Sequence, residues 1–181
     1  MWSGESVDVN VEVKEDWQLS QFWYSKQTAE ALANMVMSAI SQGGRIACVS
    51  APTLYRALKA KSNDVNADVF EFDKRFAMYG KDFIFYDYKS PLSVPKDCRE
   101  KYDLVFADPP FLSDECLTKT AVTMKYICKN PKKLVLCSGA IMEEMAARLL
   151  DLKLCKFKPE HDNNLANEFR CFANFDFDSY S

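Results

Sequence analysis

Asp108, Pro109, Pro110 and Phe111 come directly after the apolar run Leu104-Val105-Phe106-Ala107, and a helix-like segment opens at Ser113. The run from Asp103 to Ala107 has the length and the β-branched and aromatic content of a buried strand. Neither proline has an N–H to give a sheet, so the strand must end there. Proline also confines the residue before it to extended backbone. The product is a stiff ledge at the carboxyl end of a strand, where open α/β sheets hold their ligands. The Asp108 carboxylate and the carbonyls of the ledge are acceptors, and Phe111 offers a flat π-face. A group bearing N–H bonds could be held there with its nitrogen lone pair aimed at an electrophile. In isolation the four residues could merely close a strand. Their place between a buried strand and a helix start favours a site.

The elements that must position this ledge fit in one domain. The chain has 181 residues, 48% hydrophobic and 27% charged, the proportions of a soluble globular protein with a real core. No apolar run approaches the length of a membrane span and no secretory pattern opens the chain, so no membrane association is expected. Seven cysteines, odd in number and without a C-x-x-C pair, read as reduced core thiols of a cytosolic or nuclear protein, and no metal site is expected. His161 is the only histidine, which removes most Ser/His and Cys/His nucleophilic schemes. A net charge of −3 and a pI near 5.3 argue against a broad nucleic-acid footprint. Lys125, Lys129, Lys132 and Lys133 form a small basic group, better read as a solvated helix end.

Residues 1–16 are polar and acidic and read as a leader, in which Val7, Val9, Val11 and Val13 alternate as an edge strand would. A single domain is expected over 17–181. Trp17, Phe22, Trp23 and Tyr24 crowd its start. Such aromatics are core staples or pocket walls, and Phe22, Trp23 and Tyr24 are candidates for a substrate wall. Leu32, Met35, Val36, Ala39 and Ile40 recur at helical spacing between Thr28 and Ser41. Strands are predicted over 45–50, 69–72, 83–86, 103–107, 134–137, 154–157 and 169–175. Helices are predicted after Pro52, after Ser113, and over a segment whose inward face is Ile141, Met145 and Leu149. The alternation predicts a doubly wound, mainly parallel α/β sheet.

In such sheets a nucleoside cofactor lies over the first strand–helix turn, here Ser50-Ala51-Pro52-Thr53, and an acidic residue ending the second strand binds its ribose. Asp73 stands at the expected offset, although a solvated turn carboxylate is an equal reading of its position. Asp87, between Tyr86 and Tyr88 at the third strand end, suits an adenine amino group. Carboxylates and aromatic faces there would favour a sulfonium cation.

The ledge resembles the [Asn/Asp/Ser]-Pro-Pro-[Tyr/Phe/Trp] signature of amino-group methyltransferases that use S-adenosylmethionine. With it, the blocks Gln18 to Ser25, Arg45 to Pro52, Phe72 to Phe76 and Asn164 to Cys171 are together similar to one family. That family was first labelled N6-adenine DNA methyltransferases and later understood as lysine methyltransferases of translation elongation factor 1-alpha. The resemblance implies a seven-stranded Rossmann-like sheet whose last strand runs antiparallel beside the fifth. It implies S-adenosylmethionine as cofactor and catalysis at Asp108, Pro109, Pro110 and Phe111. Cofactor contacts are implied for Ser50, Ala51, Asp73, Lys74, Asp87, Tyr88 and Asp108. The resemblance also implies a cytoplasmic enzyme with a folded, basic protein substrate, and a monomer is expected. One departure stands out: the family's glycine-rich turn after the first strand is replaced by Ser50-Ala51-Pro52-Thr53. An N6-adenine methyltransferase of DNA or RNA would share the ledge chemistry, and a catalytically silent interaction domain is what the missing glycines would suggest.

Overall fold

The computed structural model describes residues 13–15, 23–163 and 168–181. Seven strands form one sheet: Arg45–Val49 (β1), Asn66–Glu71 (β2), Phe83–Phe85 (β3), Leu104–Ala107 (β4), Leu134–Gly139 (β5), Lys153–Leu154 (β6) and Phe169–Ala173 (β7). Their order is β3-β2-β1-β4-β5-β7-β6. The first five strands are mutually parallel, and β7 runs antiparallel between β5 and β6, as expected from the sequence. The chain steps outward from β1 to β3, then returns to lay β4 on the other side of β1. That reversal opens a crevice at the carboxyl ends of β1 and β4.

Helices Lys26–Ser38 (α1) and Pro52–Lys61 (α2) cover one face of the sheet, and Asp114–Ile127 (α3) and Glu143–Leu150 (α4) cover the other. Because both faces are covered, β4 and β5 are buried at every position. The starts of α1 and α3 are fixed by their caps. The Ser25 hydroxyl accepts from the Thr28 amide and the Ser113 hydroxyl from the Cys116 amide, each worth about 1 kcal/mol. All seven cysteines are buried free thiols. No helix among the described residues is long and apolar enough to cross a membrane.

Most strand bounds differ from the sequence expectation by one to three residues, and three differences have a visible local reason. The second strand ends at Glu71, not Phe72, because the Phe72 ring turns outward and is 52% exposed. The sixth strand is only Lys153–Leu154, because the Lys156 and Phe157 amides donate to the Asp178 carboxylate instead of continuing along β7. Ile141 is not on a buried helix face. It sits in a 3₁₀ turn, Ala140–Met142, ahead of α4, with Met142 pointing inward and Ile141 75% exposed.

Candidate active site at the sheet's switch point

The crevice is built from three strand ends. The Asp108 amide donates to the Val49 carbonyl at 3.0 Å, which carries the β1–β4 pairing one step past β4 and fixes the ledge beside Ser50. On the other side of β1, the Ser50 amide donates to the Phe70 carbonyl at 2.7 Å. Ser50 has φ +55°, the left-handed conformation for which glycine is the usual choice. The turn therefore takes the glycine-like path without a glycine, and Pro52 then opens the first turn of α2. The missing glycines do not close the crevice. The cost is backbone strain of about 1–2 kcal/mol at Ser50. Ser50→Gly should accordingly raise the melting temperature, and Ser50→Val should lower it; thermal denaturation of the two variants checks this.

Two carboxyl groups face the crevice. Asp108 is half-buried, and its pKa is pushed up to about 7, chiefly by burial; the Tyr24 hydroxyl lowers it and the nearby Glu71 charge raises it. Glu71, the last residue of β2, is buried and likewise pushed up to about 7, chiefly by burial. Its side chain accepts the Asp73 amide at 2.6 Å, which holds it at the strand end. Glu71 is the candidate site residue that sequence reasoning missed. Asp73, two residues on, is only 6% exposed, and its carboxylate is gripped by the Arg75 amide and guanidinium, with a shortest contact of 2.6 Å. Lys74 points outward, with its ammonium 5.3 Å from the Phe85 ring centre.

Tyr24 forms the wall opposite. It is buried at 3% exposure, and its hydroxyl lies beside Asp108 and the Cys137 thiol. No described residue completes a hydrogen bond of good geometry to that hydroxyl. The segment is pinned by pairing with the loop after β6: Ser25 donates to the Glu160 carbonyl, and Asp162 donates to the Trp23 carbonyl. The His161 ring packs between Tyr24 and Phe169, and burial lowers its pKa, so it serves this wall as a neutral ring. Trp23 is held by Glu15 and the Val13 carbonyl and stands edge-on to Phe76. Phe22 lies outside the described residues, as does the boundary between the leader and the domain.

The remaining candidates line the same rim. Asp87 accepts the Lys89 amide at 2.9 Å, closing a turn after β3, and Tyr88 meets Phe111 edge-on with ring centres 6.0 Å apart. Pro109 is buried and Phe111 is 42% exposed. Ala51 is buried at the start of α2. The basic group is elsewhere. Lys129 pairs with Asp103, Lys132 donates to the Cys128 carbonyl, and Lys133 donates to the Ala39 carbonyl, all near the strand starts at the opposite end of the sheet.

The donor set suits a cationic nucleoside. Two carboxyls raised by burial would both be eased by a nearby cation, and they stand at the strand ends where such sheets hold nucleosides. Comparison with known proteins agrees. A family model described as "Probable N6-adenine methyltransferase" matches residues 15–177. EEF1A lysine methyltransferase 1 of Homo sapiens is 53% identical over 176 residues, covering 96% of this chain and 81% of that protein. Protein-lysine N-methyltransferase EFM5 of Saccharomyces cerevisiae is 42% identical over 185 residues, covering 92% and 75%. The crystal structure of a TehB-like SAM-dependent methyltransferase from Corynebacterium glutamicum superposes with a TM-score of 0.53 at 16% identity, over 80% of this chain and 85% of that one, a likeness of fold alone. The chain thus belongs to the N6-adenine methyltransferase-like family that includes the EEF1A lysine methyltransferases.

Proposed function

We propose that the protein is an S-adenosylmethionine-dependent protein-lysine N-methyltransferase whose substrate is translation elongation factor 1-alpha. The observation that carries this reading is the Asp108 carboxyl, set on a proline-stiffened ledge at the switch point and tuned toward neutrality. The relatives' names supply the lysine and its protein.

Ser50, Ala51, Glu71, Asp73, Asp87 and Tyr88 would hold the nucleoside and its methionine arm along the carboxyl ends of β1, β2 and β3. Lys74 stands outside that arc, over the Phe85 ring. When bound, S-adenosylmethionine supplies an electrophilic methyl group on a sulfonium, which a neutral amine can take directly. The protein's task is then to deliver that amine. A lysine ammonium has an unperturbed pKa near 10.4, so deprotonation at neutral pH costs about 4–5 kcal/mol. Phe111, Tyr24 and Trp23 remove water around the amine, which lowers its pKa. Asp108, with a pKa near 7, is matched to take up the proton at its carboxylate and then to orient the neutral amine. The Pro109 carbonyl accepts no hydrogen bond among the described residues and supplies a second acceptor. The Tyr24 hydroxyl, beside Asp108, favours its ionised form, the form that takes up the proton.

We place the enzyme in the cytoplasm, as a monomer, with no nucleic-acid substrate. The net charge of −3 and the position of the basic group at the far end of the sheet support the last of these. The test is the methylation of purified elongation factor 1-alpha with labelled cofactor, with and without nuclease. Activity should survive nuclease, and duplex DNA should compete poorly. Salt should slow encounter modestly, without the steep loss that accompanies release of many counterions. A steep salt slope together with labelled adenine in digested nucleic acid would overturn the reading.

A further inference from the structure

Ile141 should be in the core by its sequence pattern, yet it is 75% exposed. It is not on a loose loop. The buried Met142 anchors its turn from one side. On the other side, a Cβ built at Gly139 would come within 3.0 Å of Leu112 and 3.6 Å of Ile141, so the loops after β4 and β5 close together at this glycine. Leu112 is the residue after Phe111. Phe111, Leu112 and Ile141 thus form a fixed apolar strip leading away from the ledge. Around it stand exposed carboxylates from the first turns of two helices, Asp114 of α3 and Glu143 and Glu144 of α4. None of these three forms an ion pair among the described residues. Acidic residues there also favour the helix dipoles. That role does not account for an isoleucine held out in water beside them.

We propose that this strip and its acidic collar are the docking surface for the folded protein substrate, which meets it with a basic surface carrying an apolar centre next to the target lysine. This rests on the proposed lysine methyltransferase activity. An apolar anchor inside a charged rim is the ordinary anatomy of a protein interface. The charge fits a basic partner and repels a phosphate backbone. Complementary charge raises the encounter rate, while the anchor sets the residence time. The transfer site then needs to read only the lysine itself, and the surrounding surface chooses the protein.

The experiment compares wild type, Ile141→Asp and the double variant Glu143→Lys/Glu144→Lys on purified, folded elongation factor 1-alpha. These positions are exposed, so the fold should be kept. Ile141→Asp should melt close to wild type, and the double lysine variant a few degrees lower because it opposes the α4 dipole. Calorimetry should show unchanged affinity for S-adenosylmethionine. Each variant should raise KM for the protein about tenfold or more, with kcat within about threefold. Wild-type KM in both variants would overturn the docking surface while leaving the activity standing. A fall in kcat at constant KM would also overturn it, since the residues would then act in transfer. A wild-type enzyme inert toward the folded protein but active on nucleic acid would overturn the proposed function and this surface with it.

Discussion

Asp108→Ala should cut the methylation rate by about two orders of magnitude or more while changing cofactor affinity little. The carboxyl sits one residue past β4, its amide tied to Val49, so its position is set by backbone and survives truncation of the side chain. What is lost is the acceptor matched to an ammonium proton, and water enters in its place. Asp108→Asn keeps one oxygen acceptor but cannot take up a proton. It should therefore retain partial activity, displaced toward higher pH, where the lysine is more often neutral. Phe111→Ala should reduce the rate less severely, because it loosens the amine without removing the acceptor. Steady-state kinetics over a pH series, paired with calorimetric cofactor titrations, separates these effects. Near-normal turnover by Asp108→Ala would make the ledge a strand stop only.

Glu71→Gln should weaken cofactor binding at least about tenfold and flatten the protein's pH–stability curve. Burial pushes the Glu71 carboxyl up to about 7, above its unfolded value of 4.5. The folded state therefore favours the protonated form. Its contribution is complete below the unfolded pKa and is lost as pH rises through about 7, at up to about 1.4 kcal/mol per pH unit. Asp108 is raised in the same sense. The wild-type protein should thus melt at lower temperature at pH 8 than at pH 6, once the cofactor is absent. Glutamine keeps an oxygen for the Asp73 amide and has no charge to bury, so the variant should lose much of this slope. A cation in the crevice favours the ionised carboxyls, so S-adenosylmethionine should stabilise wild type more at pH 8 than at pH 6. Its uncharged-sulfur product should show a smaller difference. A pH-independent gap between the two ligands would count against Glu71 and Asp108 as the groups that meet the sulfonium.

Much of this was legible in the chain itself. The strand–helix alternation pointed to the sheet, and the two prolines after Asp108 marked a strand end, read as a ledge rather than a mere strand stop because a helix start follows it. Ser113 announced α3 because its hydroxyl has a defined amide to cap. Other features depend on contacts far apart in sequence. Glu71 and Asp73 are both acidic and both near a strand end, and Phe72 between them looks like a strand residue; only its outward turn moves the end to Glu71. Arg75 then engages Asp73, which a position rule cannot anticipate. Ser50 adopts a left-handed backbone because pairing with Phe70 and the start of α2 force it, against its own preference. Ile141 fits a helical period by chance, while α4 begins only at Glu143. Tyr24 gains its place beside Asp108 from pairing with Glu160 to Asp162, a contact across most of the chain.

The most direct measurement is mass spectrometry of elongation factor 1-alpha after incubation with S-adenosylmethionine and either wild-type protein or Asp108→Ala. Wild type should add one or more methyl masses confined to a lysine-bearing peptide, and Asp108→Ala should leave that peptide unmodified over the same time. An unmodified elongation factor with wild type, or equal modification by both proteins, would contradict lysine transfer at the Asp108 ledge.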